Sequence, residues 1–319
     1  MSHVLVTGAA GFLGRHLVNA LDARGDFVVE LVRDASRGER LQDKQLGRGA
    51  IVWGDLTGPG ALPLLERAIA EYEVDAVVHL AAQTQVSVGE ADPVGTLETN
   101  VRGTWVVLEA CRRQKVRRII CASSDKCYGD GPSPYREDQP LLPHGVYATS
   151  KACADMLAQS YARDFGMSIA VTRCGNLYGP GHLNFSTLIP GTIRSVIRGE
   201  RPYLRSDGSQ RRDYLYVGDA VRGYLKLLDV PSIGLFNFGT GVATSVIDVV
   251  ELILAVAKSD LRPEIAGGAR GEIRAQYLDW SLAREVLGWA PTGDFKLHLA
   301  ETLAWYRTWY TAYSRGLLT

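Results

Sequence analysis

A tyrosine and a lysine four residues apart have the clearest capacity for acid–base chemistry in this sequence. Tyr147 and Lys151 stand in the run Tyr-Ala-Thr-Ser-Lys, at the start of a predicted helix over 147–165. Because four residues is close to one helical turn, both side chains lie on one helical face. An ammonium beside a phenol lowers the pKa of the phenol, which would make Tyr147 a base near neutral pH. The spacing alone is common, so its meaning depends on the surrounding elements.

A serine and two charged residues come just after a predicted strand, Arg118–Ala122. Parallel strands present their carboxyl ends to ligands, which makes Ser124, Asp125 and Lys126 candidates for a site. Ser124 could bind the hydroxyl group that Tyr147 deprotonates, or it could simply form a turn. Asp125 and Lys126 could donate and accept protons, or they could be a solvated pair in the same turn.

A glycine-rich turn near the N-terminus predicts a dinucleotide site. Gly8, Gly11 and Gly14 are spaced G-x-x-G-x-x-G between the predicted strand Val4–Thr7 and a predicted helix over 12–24. The first glycine permits a tight turn, the second lets the backbone approach a pyrophosphate, and the third lets the helix pack on the strand. An ordinary glycine turn is the alternative, but the required strand–turn–helix context is present. The residues expected to contact the cofactor here, at the open N-terminus of the helix, are Gly8, Gly11, Phe12, Leu13 and Gly14.

The end of the second predicted strand bears on the choice between NAD and NADP. An acidic residue at this point binds a ribose 2′-hydroxyl, whereas a basic residue accommodates a 2′-phosphate. Val32 occupies the expected position of the acid, Arg33 favours NADP, and Asp34 favours NAD. After the third predicted strand, Asp55 and Leu56 are expected near the adenine, although Asp55 could instead cap a helix. We predict NAD, with NADP as the alternative.

The order of predicted elements favours a Rossmann-like α/β fold. The chain has 319 residues, of which 46% are hydrophobic, enough for one large domain or two fused ones. Nearly continuous apolar strands alternate with helices, as expected for a doubly wound parallel sheet covered on both faces. The predicted strands are Val4–Thr7, Phe27–Val32, Ala50–Trp53, Ala76–Leu80, Arg118–Ala122, Ile169–Arg173 and Leu235–Phe238. Helices are predicted near 12–24, 61–72, 96–114, 147–165, 217–229, 245–257 and 296–313.

The pattern of alternating elements loosens after Arg173, where glycine and proline become frequent. This change predicts a smaller C-terminal substrate domain interleaved with the first domain. The predicted boundaries are 1–174 for a dinucleotide-binding domain, to which 207–240 returns, and 175–319 for the substrate-binding domain.

Bulk composition argues against several classes of partner. The 35 basic and 35 acidic residues balance, so no strong field attracts nucleic acid or an anionic membrane. The five cysteines lack the spacing of a metal site and suit a reducing compartment. No signal peptide is visible and no apolar run is long enough to span a membrane. We therefore expect a cytoplasmic protein without a metal.

Together these motifs resemble the extended short-chain dehydrogenase/reductase family over essentially the whole chain. The resemblance is carried by the glycine turn, His79-Leu80-Ala81-Ala82, Asn100, Ser124, Tyr147, Lys151, the run from Thr172 to Gly181, Arg212-Asp213-Tyr214 and Leu287-Gly288-Trp289. It implies a nicotinamide-dependent enzyme that acts on nucleoside-diphosphate sugars and holds their nucleotide end in the C-terminal domain. It also implies that Leu80, Ala81 and Ala82 contact the cofactor.

Within that family, the pair Asp125-Lys126 resembles the CDP-glucose 4,6-dehydratase branch. Most sugar-nucleotide 4,6-dehydratases carry Asp-Glu at this point, whereas that branch carries Ser/Thr-Asp-Lys-Cys-Tyr, as from Ser124 to Tyr128 here. Two further segments with the same resemblance are 183–195 and 272–279. The resemblance implies that Tyr147 takes the proton of the sugar 4-hydroxyl and Asp125 protonates the hydroxyl leaving carbon 6. Lys126 would remove the proton of carbon 5, which it can do only if burial lowers its pKa.

Three residues of the C-terminal half match family positions that bind the pyrophosphate of the sugar nucleotide. They are Asn176, Arg212 and Arg274. Arginine suits bidentate phosphate binding. Arg212 could instead form a plain ion pair with Asp213, and nothing in these residues selects one nucleotide base.

The leading prediction is an NDP-hexose 4,6-dehydratase that acts on CDP-glucose or a close relative, with transient hydride transfer to bound NAD. A sugar-nucleotide 4-epimerase or an NADPH-dependent 4-ketoreductase would use the same Tyr147 and Lys151. A dinucleotide-sensing protein without turnover is disfavoured by the full set of Ser124, Tyr147 and Lys151.

Family likeness also predicts a homodimer through the helices near 96–114 and 147–165. The apolar side chains that would form the interface, unless they face the core, are Trp105, Leu108, Cys153, Leu157 and Tyr161.

Overall fold

A seven-stranded parallel sheet forms the centre of the molecule. The computed structural model describes residues 2–33, 49–230, 233–268 and 273–314. In chain order its strands are β1 (His3–Thr7), β2 (Phe27–Val32), β3 (Gly49–Trp53), β4 (Ala76–His79), β5 (Arg118–Ala122), β6 (Ile169–Cys174), β7 (Asn176–Tyr178), β8 (Tyr203–Leu204), β9 (Arg211–Arg212), β10 (Tyr214–Tyr216), β11 (Gly234–Phe238), β12 (Thr244–Ser245), β13 (Glu264–Ile265) and β14 (Ala275–Gln276). The main sheet has the order β11-β6-β5-β4-β1-β2-β3. Because the order reverses between β1 and β4, a ligand crevice is expected beyond the carboxyl ends of these two strands.

Helices cover both faces of this sheet. In chain order they are α1 (Phe12–Arg24), α2 (Ala61–Glu71), α3 (Val86–Ala91), α4 (Pro93–Leu97), α5 (Gly103–Arg113), α6 (Gly145–Phe165), α7 (Leu188–Arg198), α8 (Val217–Asp229), α9 (Val246–Ala257), α10 (Ser281–Leu287) and α11 (Phe295–Ser314). Val4 and Val6 of β1 join a core with α1 and α8 on one face. Leu5 joins a core with α2, α5 and α6 on the other face. The alternation of side chains along a strand therefore builds two apolar layers from one sequence run.

Elements that follow β6 in the chain form a further apolar cluster. Ile193 of α7, Ile253 of α9 and Leu303 of α11 are buried together there, with Tyr178 and Tyr214 from the short strands. The chain returns to the main sheet at β11, which pairs with β6 in parallel. This arrangement lets residues from the C-terminal half reach the carboxyl edge of the sheet.

The predicted fold class, a doubly wound Rossmann-like sheet, is confirmed, and all seven predicted strands agree with the structure to within one residue at each end. The predicted helix near 96–114 is wrong as a single element. Asp92 caps a short helix by accepting a hydrogen bond from Gly95, 2.9 Å away, with Pro93 at its first position. A π-helical turn, Glu98–Arg102, then interrupts the helical path and turns Asn100 inward, where it is buried.

The described part of the chain shows neither a membrane-crossing helix nor a metal site. No helix in it is long and apolar enough to cross a membrane. No group of three or more histidine, cysteine, aspartate or glutamate residues within the described ranges could hold a metal ion. The five cysteines are free thiols, four of them buried.

Candidate active site

The glycine turn between β1 and α1 leaves room only for backbone. Gly8 has a φ of 68°, and a Cβ there would lie 2.7 Å from the backbone nitrogen of Ala81. A Cβ on Gly14 would lie 2.1 Å from the carbonyl oxygen of Gly8. Gly11 is exposed and begins α1 without a side-chain cap. The unpaired N–H groups at this helix start therefore fit the pyrophosphate of a dinucleotide.

The other two residues predicted in the glycine turn connect α1 to its surroundings. Leu13 packs against the core under the sheet. Phe12 stacks on His182, with ring centroids 4.4 Å apart, and Arg15 donates a hydrogen bond to the carbonyl of Gly181, 2.9 Å away. The cofactor helix is thereby tied to the loop that follows β7.

Polar side chains fix the loop after β4. Thr7 Oγ1 accepts hydrogen bonds from the backbone N–H groups of Leu80 and Ala81, both at 3.2 Å. Its single proton then points to His79 Nδ1, 2.8 Å away, so His79 Nε2 carries the proton donated to Thr104 at 3.0 Å. Burial lowers the pKa of His79 to about 3. The imidazole is therefore neutral and holds Leu80, Ala81 and the half-buried Ala82 beside the glycine turn.

The residues predicted to contact the adenosine part of the cofactor follow β2 and β3, at the carboxyl edge of the sheet. Asp55 is exposed, and its Oδ1 accepts hydrogen bonds from the backbone N–H and hydroxyl of Thr57. The alternative that Asp55 caps a helix is wrong, since α2 begins after Gly60. Leu56 is buried, and Arg33 is exposed at the end of β2. Asp34 lies outside the described residues.

Tyr147 and Lys151 lie in the first two turns of α6, as their spacing predicts. Lys151 is buried and donates a hydrogen bond to the carbonyl of Ala122 at the end of β5, and burial lowers the pKa of its ammonium. Tyr147 is half-buried, and burial raises the pKa of its phenol above the usual value, while a hydrogen bond from Ser124 acts in the opposite direction. The expectation that Lys151 lowers the pKa of this phenol is therefore not met in the protein alone, because desolvation is the larger effect.

Asp125 and Lys126 form a close pair in a 3₁₀ turn, Asp125–Tyr128, that Ser124 caps. Lys126 Nζ lies 3.0 Å from each carboxylate oxygen of Asp125. Ser124 Oγ donates to Asp125 Oδ1 at 3.2 Å. The alternative of a solvated turn pair is wrong, because Asp125 is only 1% exposed. The lysine side chain is 25% exposed, so it reaches from the buried carboxylate towards the surface of the site.

A buried polar network that sequence reasoning missed supports this turn. Arg173 on β6 forms a bidentate ion pair with Asp155 on α6, with N–O distances of 2.9 and 3.0 Å. The guanidinium also donates to Tyr128 Oη at 2.8 Å, and this hydroxyl donates to Asn237 on β11, again at 2.8 Å. Sequence spacing could have identified one member of this network, because Asp155 follows Lys151 by four residues and shares its helical face.

Two of the predicted pyrophosphate ligands lie at neighbouring short strands. Arg212 is on β9, and Arg274 immediately precedes β14, which pairs with β9 in parallel. The carbonyl of Arg274 accepts a hydrogen bond from the N–H of Arg211 at 2.8 Å. Arg212 Nη1 donates to the carbonyl of Ile273 at 2.8 Å, and Arg274 is exposed. The guanidinium of Arg212 is therefore oriented by backbone next to Arg274.

Asp213 orders the same region through the hydrogen bonds that its carboxylate accepts. Its buried carboxylate accepts hydrogen bonds from the N–H and hydroxyl of Thr240 and from the N–H groups of Gly241 and Leu278. Asn176, the third predicted ligand, donates to the carbonyl of Asp213 at 3.1 Å. Three backbone N–H groups and the hydroxyl of Thr240 thus satisfy the carboxylate of Asp213.

Comparison with known proteins gives consistent matches over the whole chain. The model of the NAD dependent epimerase/dehydratase family matches residues 4–239. The dTDP-glucose 4,6-dehydratase of Mycolicibacterium smegmatis is 33% identical over 317 residues, covering 95% of this chain and 93% of that protein. The dTDP-glucose 4,6-dehydratase of Streptomyces griseus is 34% identical over 97% of this chain and 96% of its own length.

Solved structures with the same fold include a dehydratase and an epimerase. The dTDP-glucose 4,6-dehydratase of Bacillus anthracis in complex with NAD has a TM-score of 0.84 at 26% identity, covering 97% of each chain. The UDP-glucose 4-epimerase of Thermotoga maritima with UDP-glucose has a TM-score of 0.88 at 27% identity, covering 97% of this chain and 99% of that one. The family description and the NAD-bound neighbour confirm the predicted cofactor and the predicted resemblance to extended short-chain dehydrogenases/reductases. Three observations agree: the turn formed by Gly8, Gly11 and Gly14 (the glycine cradle), the parallel sheet, and these matches. We conclude that the chain belongs to the NAD dependent epimerase/dehydratase family.

Proposed function

We propose that this protein is an NDP-hexose 4,6-dehydratase that works with bound NAD. The observation that carries the proposal is the Asp125–Lys126 pair, whose carboxylate is buried and also accepts a hydrogen bond from Ser124. Oxidation at one carbon needs a single base, whereas loss of water needs a second base and an acid, and the pair offers both. The curated relatives named above are dTDP-glucose 4,6-dehydratases, which supports the same chemistry here.

The cofactor would be held by the glycine cradle and by the hydroxyl-fixed loop of Leu80 and Ala81. When bound, NAD supplies an acceptor for a hydride from the sugar and later a donor of that hydride. Lys151, buried beside Ala122, adds a positive charge near the phenol of Tyr147. A cationic nicotinamide would act in the same direction, so bound cofactor should offset the desolvation that raises the pKa of this phenol.

Each proton transfer has a candidate group in the site. Tyr147 accepts the proton of the sugar 4-hydroxyl as carbon 4 becomes a ketone. The ketone acidifies carbon 5, from which Lys126 removes a proton, while Asp125 protonates the hydroxyl that leaves carbon 6 as water. This step requires a proton on Asp125 and a neutral Lys126, and the two groups are in direct contact at 3.0 Å.

The nucleotide end is proposed to lie in the C-terminal half, 175–319, opposite the dinucleotide half formed by 1–174 with 207–240. Arg212 on β9 and Arg274, just before the paired strand β14, would contact the pyrophosphate, together with Asn176, which donates to the carbonyl of Asp213. Within the class we propose CDP-glucose or a close relative as substrate, on the resemblance of the Ser124 to Tyr128 run to that branch.

A panel of hexose nucleotides incubated with the purified protein tests the proposal directly. CDP-, dTDP-, UDP- and GDP-glucose would be incubated without added cofactor and analysed by mass spectrometry. We expect a product lighter by one water from at least one of them, most rapidly from CDP-glucose, and a loss of about 10²–10⁴-fold in rate for Tyr147→Phe. Absence of water loss from every member of the panel would refute the dehydratase.

The main alternatives are a 4-epimerase and a 4-ketoreductase of the same family. The likeness to the Thermotoga maritima epimerase favours the first, and the exposed Arg33 at the end of β2, which suits a 2′-phosphate, favours the second. In the same panel an epimerase would give a product of unchanged mass. A reductase would instead consume NADPH in a one-to-one ratio with product.

We also propose a homodimer through α5 and α6. Of the interface side chains predicted from sequence, Leu108 is wholly in the core, and Leu157 and Tyr161 pack against it. Trp105, however, is 37% exposed, and Met156 and Phe165 of α6 are more exposed still. The proposal places Trp105 and Met156 in the interface, so Met156→Glu combined with Trp105→Glu should convert the dimer to a monomer in analytical ultracentrifugation. A wild-type monomer at micromolar concentration would refute this assembly.

A further inference from the structure

A short segment before α6 is bonded to the C-terminal half of the chain. Tyr135 lies in this segment and forms a parallel bridge with Leu278. Its N–H donates to the carbonyl of Tyr277 at 2.8 Å, and its own carbonyl accepts from the N–H of Asp279 at 2.8 Å. The backbone of Tyr135 is therefore fixed against the residues that follow β14, the strand that Arg274 immediately precedes.

The side chain of Tyr135 contacts the turn Asp125–Tyr128, which carries the proposed acid–base pair. Its hydroxyl donates to the carbonyl of Gly129 at 2.6 Å, and its ring stacks on that of Tyr128, with centroids 4.8 Å apart. Gly129 in turn donates its N–H to the carbonyl of Lys126 at 3.2 Å. One phenol thus holds both the peptide and the ring at the end of this turn.

The surroundings of Tyr135 leave this end of the turn little freedom to shift. Tyr135 and Tyr128 are both fully buried. Gly129 has a φ of 56°, and a Cβ there would meet the carbonyl of Leu142. Asn237 Nδ2 adds a further hydrogen bond to the carbonyl of Tyr135 at 2.9 Å. Because a buried polar group that loses its partner costs free energy, the carbonyl of Gly129 depends on the phenol hydroxyl.

We propose that Tyr135 is a positioning residue, which couples binding of the sugar-nucleotide pyrophosphate to the alignment of Asp125 and Lys126. The inference rests on the proposed dehydratase and on the proposed contact of Arg274 with the pyrophosphate. The carbonyl of Arg274 is itself held by the N–H of Arg211 on β9, so a ligand at Arg274 meets a fixed backbone.

A pyrophosphate bound at Arg274 would order the chain from there through β14 to Asp279. Tyr135 passes this order to the catalytic turn, through its backbone on one side and its hydroxyl on the other. Binding energy from a remote part of a substrate orients reacting groups in this way. Tyr147 is held by other contacts, since Ser150 Oγ donates to its carbonyl at 2.7 Å. Oxidation at carbon 4 therefore does not depend on Tyr135, whereas elimination of water does.

Tyr135→Phe removes the hydroxyl, keeps the ring and so separates the two halves of the reaction. The probe is CDP-glucose, or the hexose nucleotide that the panel above shows to react fastest, with NAD-loaded protein. At saturation, water loss should slow about 10–100-fold while KM is unchanged. Because oxidation continues and elimination waits, the absorbance of reduced nicotinamide should reach a higher steady level than in the wild type. Water loss at the wild-type rate, or slower formation of reduced nicotinamide, would overturn the proposal.

Tyr306→Phe is the matched control for loss of a buried hydroxyl. Tyr306 is also fully buried, and its hydroxyl also donates to a backbone carbonyl, that of His182. Its rate of water loss and its nicotinamide absorbance should both equal those of the wild type. The same change in both variants would overturn the specific role of Tyr135. Thermal unfolding and bound NAD content would establish that each variant is folded and loaded.

Arg274→Gln tests the coupling to the nucleotide end. At saturating hexose nucleotide it should slow water loss in the wild-type background but add little to the defect of Tyr135→Phe, because both changes interrupt one path. Effects that multiply in the double variant, or an unchanged kcat in Arg274→Gln alone, would overturn the proposal. Failure of the proposed function looks different, since the wild type would then release no water from any hexose nucleotide.

Discussion

In the turn where NAD is proposed to bind, Gly8 and Gly14 contribute no side chain at all. In the proposed catalytic turn after β5, the residues from Ser124 to Tyr128 are held by contacts of their side chains. The first region is shaped by steric exclusion, because an added Cβ would meet backbone. The second is shaped by polar groups that are withdrawn from water and must therefore be paired. Added side-chain volume should therefore disturb the glycine cradle, whereas removal of a charge should destabilise the catalytic turn.

The largest effect on stability is expected from removing one charge under the catalytic turn. Asp155→Asn keeps the volume but leaves Arg173, which is 1% exposed, without its ionic partner. Loss of one member of a buried ion pair costs about 3–5 kcal/mol in the free energy of unfolding. Urea denaturation measures this cost. Asp164→Asn on the same helix is the matched control, since its ion pair with Arg163 is exposed, and its midpoint should stay near that of the wild type.

A smaller but specific effect is expected from adding one methyl group to the cradle. In Gly14→Ala the new Cβ would lie 2.1 Å from the carbonyl of Gly8, so the turn must open. We expect a loss of about 1–3 kcal/mol together with loss of bound NAD, measured by release of cofactor on denaturation. Gly60→Ala, where no atom lies within 4 Å of the added group, should retain its cofactor. A Gly14→Ala protein with full NAD content would contradict the explanation that steric exclusion shapes the cradle.

The pH dependence of the free energy of unfolding tests whether His79, next to the glycine cradle, is neutral in the folded protein. His79 has its pKa lowered from 6.5 to about 3 by burial, so the unfolded chain takes up a proton that the folded protein refuses. Stability therefore falls as the pH drops from 6.5 towards 3, by up to about 1.4 kcal/mol per pH unit. His79→Gln can still donate and accept, and its stability should fall less steeply over that window. Parallel profiles for the two proteins would contradict the assignment.

The difference between the two regions also explains what the sequence could predict. The strands, the glycine turn and the spacing of Tyr147 and Lys151 are local patterns, and each is found where the pattern indicates. The π-helical turn at Glu98–Arg102 was missed because propensity favours a continuous helix. It is accompanied by hydrogen bonds from Asn100 to the carbonyl of Gln83 and to Ser150, which are distant in sequence.

The buried support of the catalytic turn was missed for the same reason. Tyr128 and Asn237 are 109 residues apart, and no local pattern links them. The pairing of Asp125 with Lys126 was suggested by their adjacency, but only the structure shows that the carboxylate of Asp125 is withdrawn from solvent. Long-range polar contacts are thus the part of this site that a single sequence leaves open.

The rate of water loss in a charge-neutral variant of the pair tests the central claim most directly. The account assigns the departure of the hydroxyl at carbon 6 to Asp125. Wild type and Asp125→Asn, matched for NAD content, would be compared by the appearance of the product lighter by one water. We predict that Asp125→Asn slows water loss by about 10²–10⁴-fold. Water loss at the wild-type rate in Asp125→Asn would contradict the account.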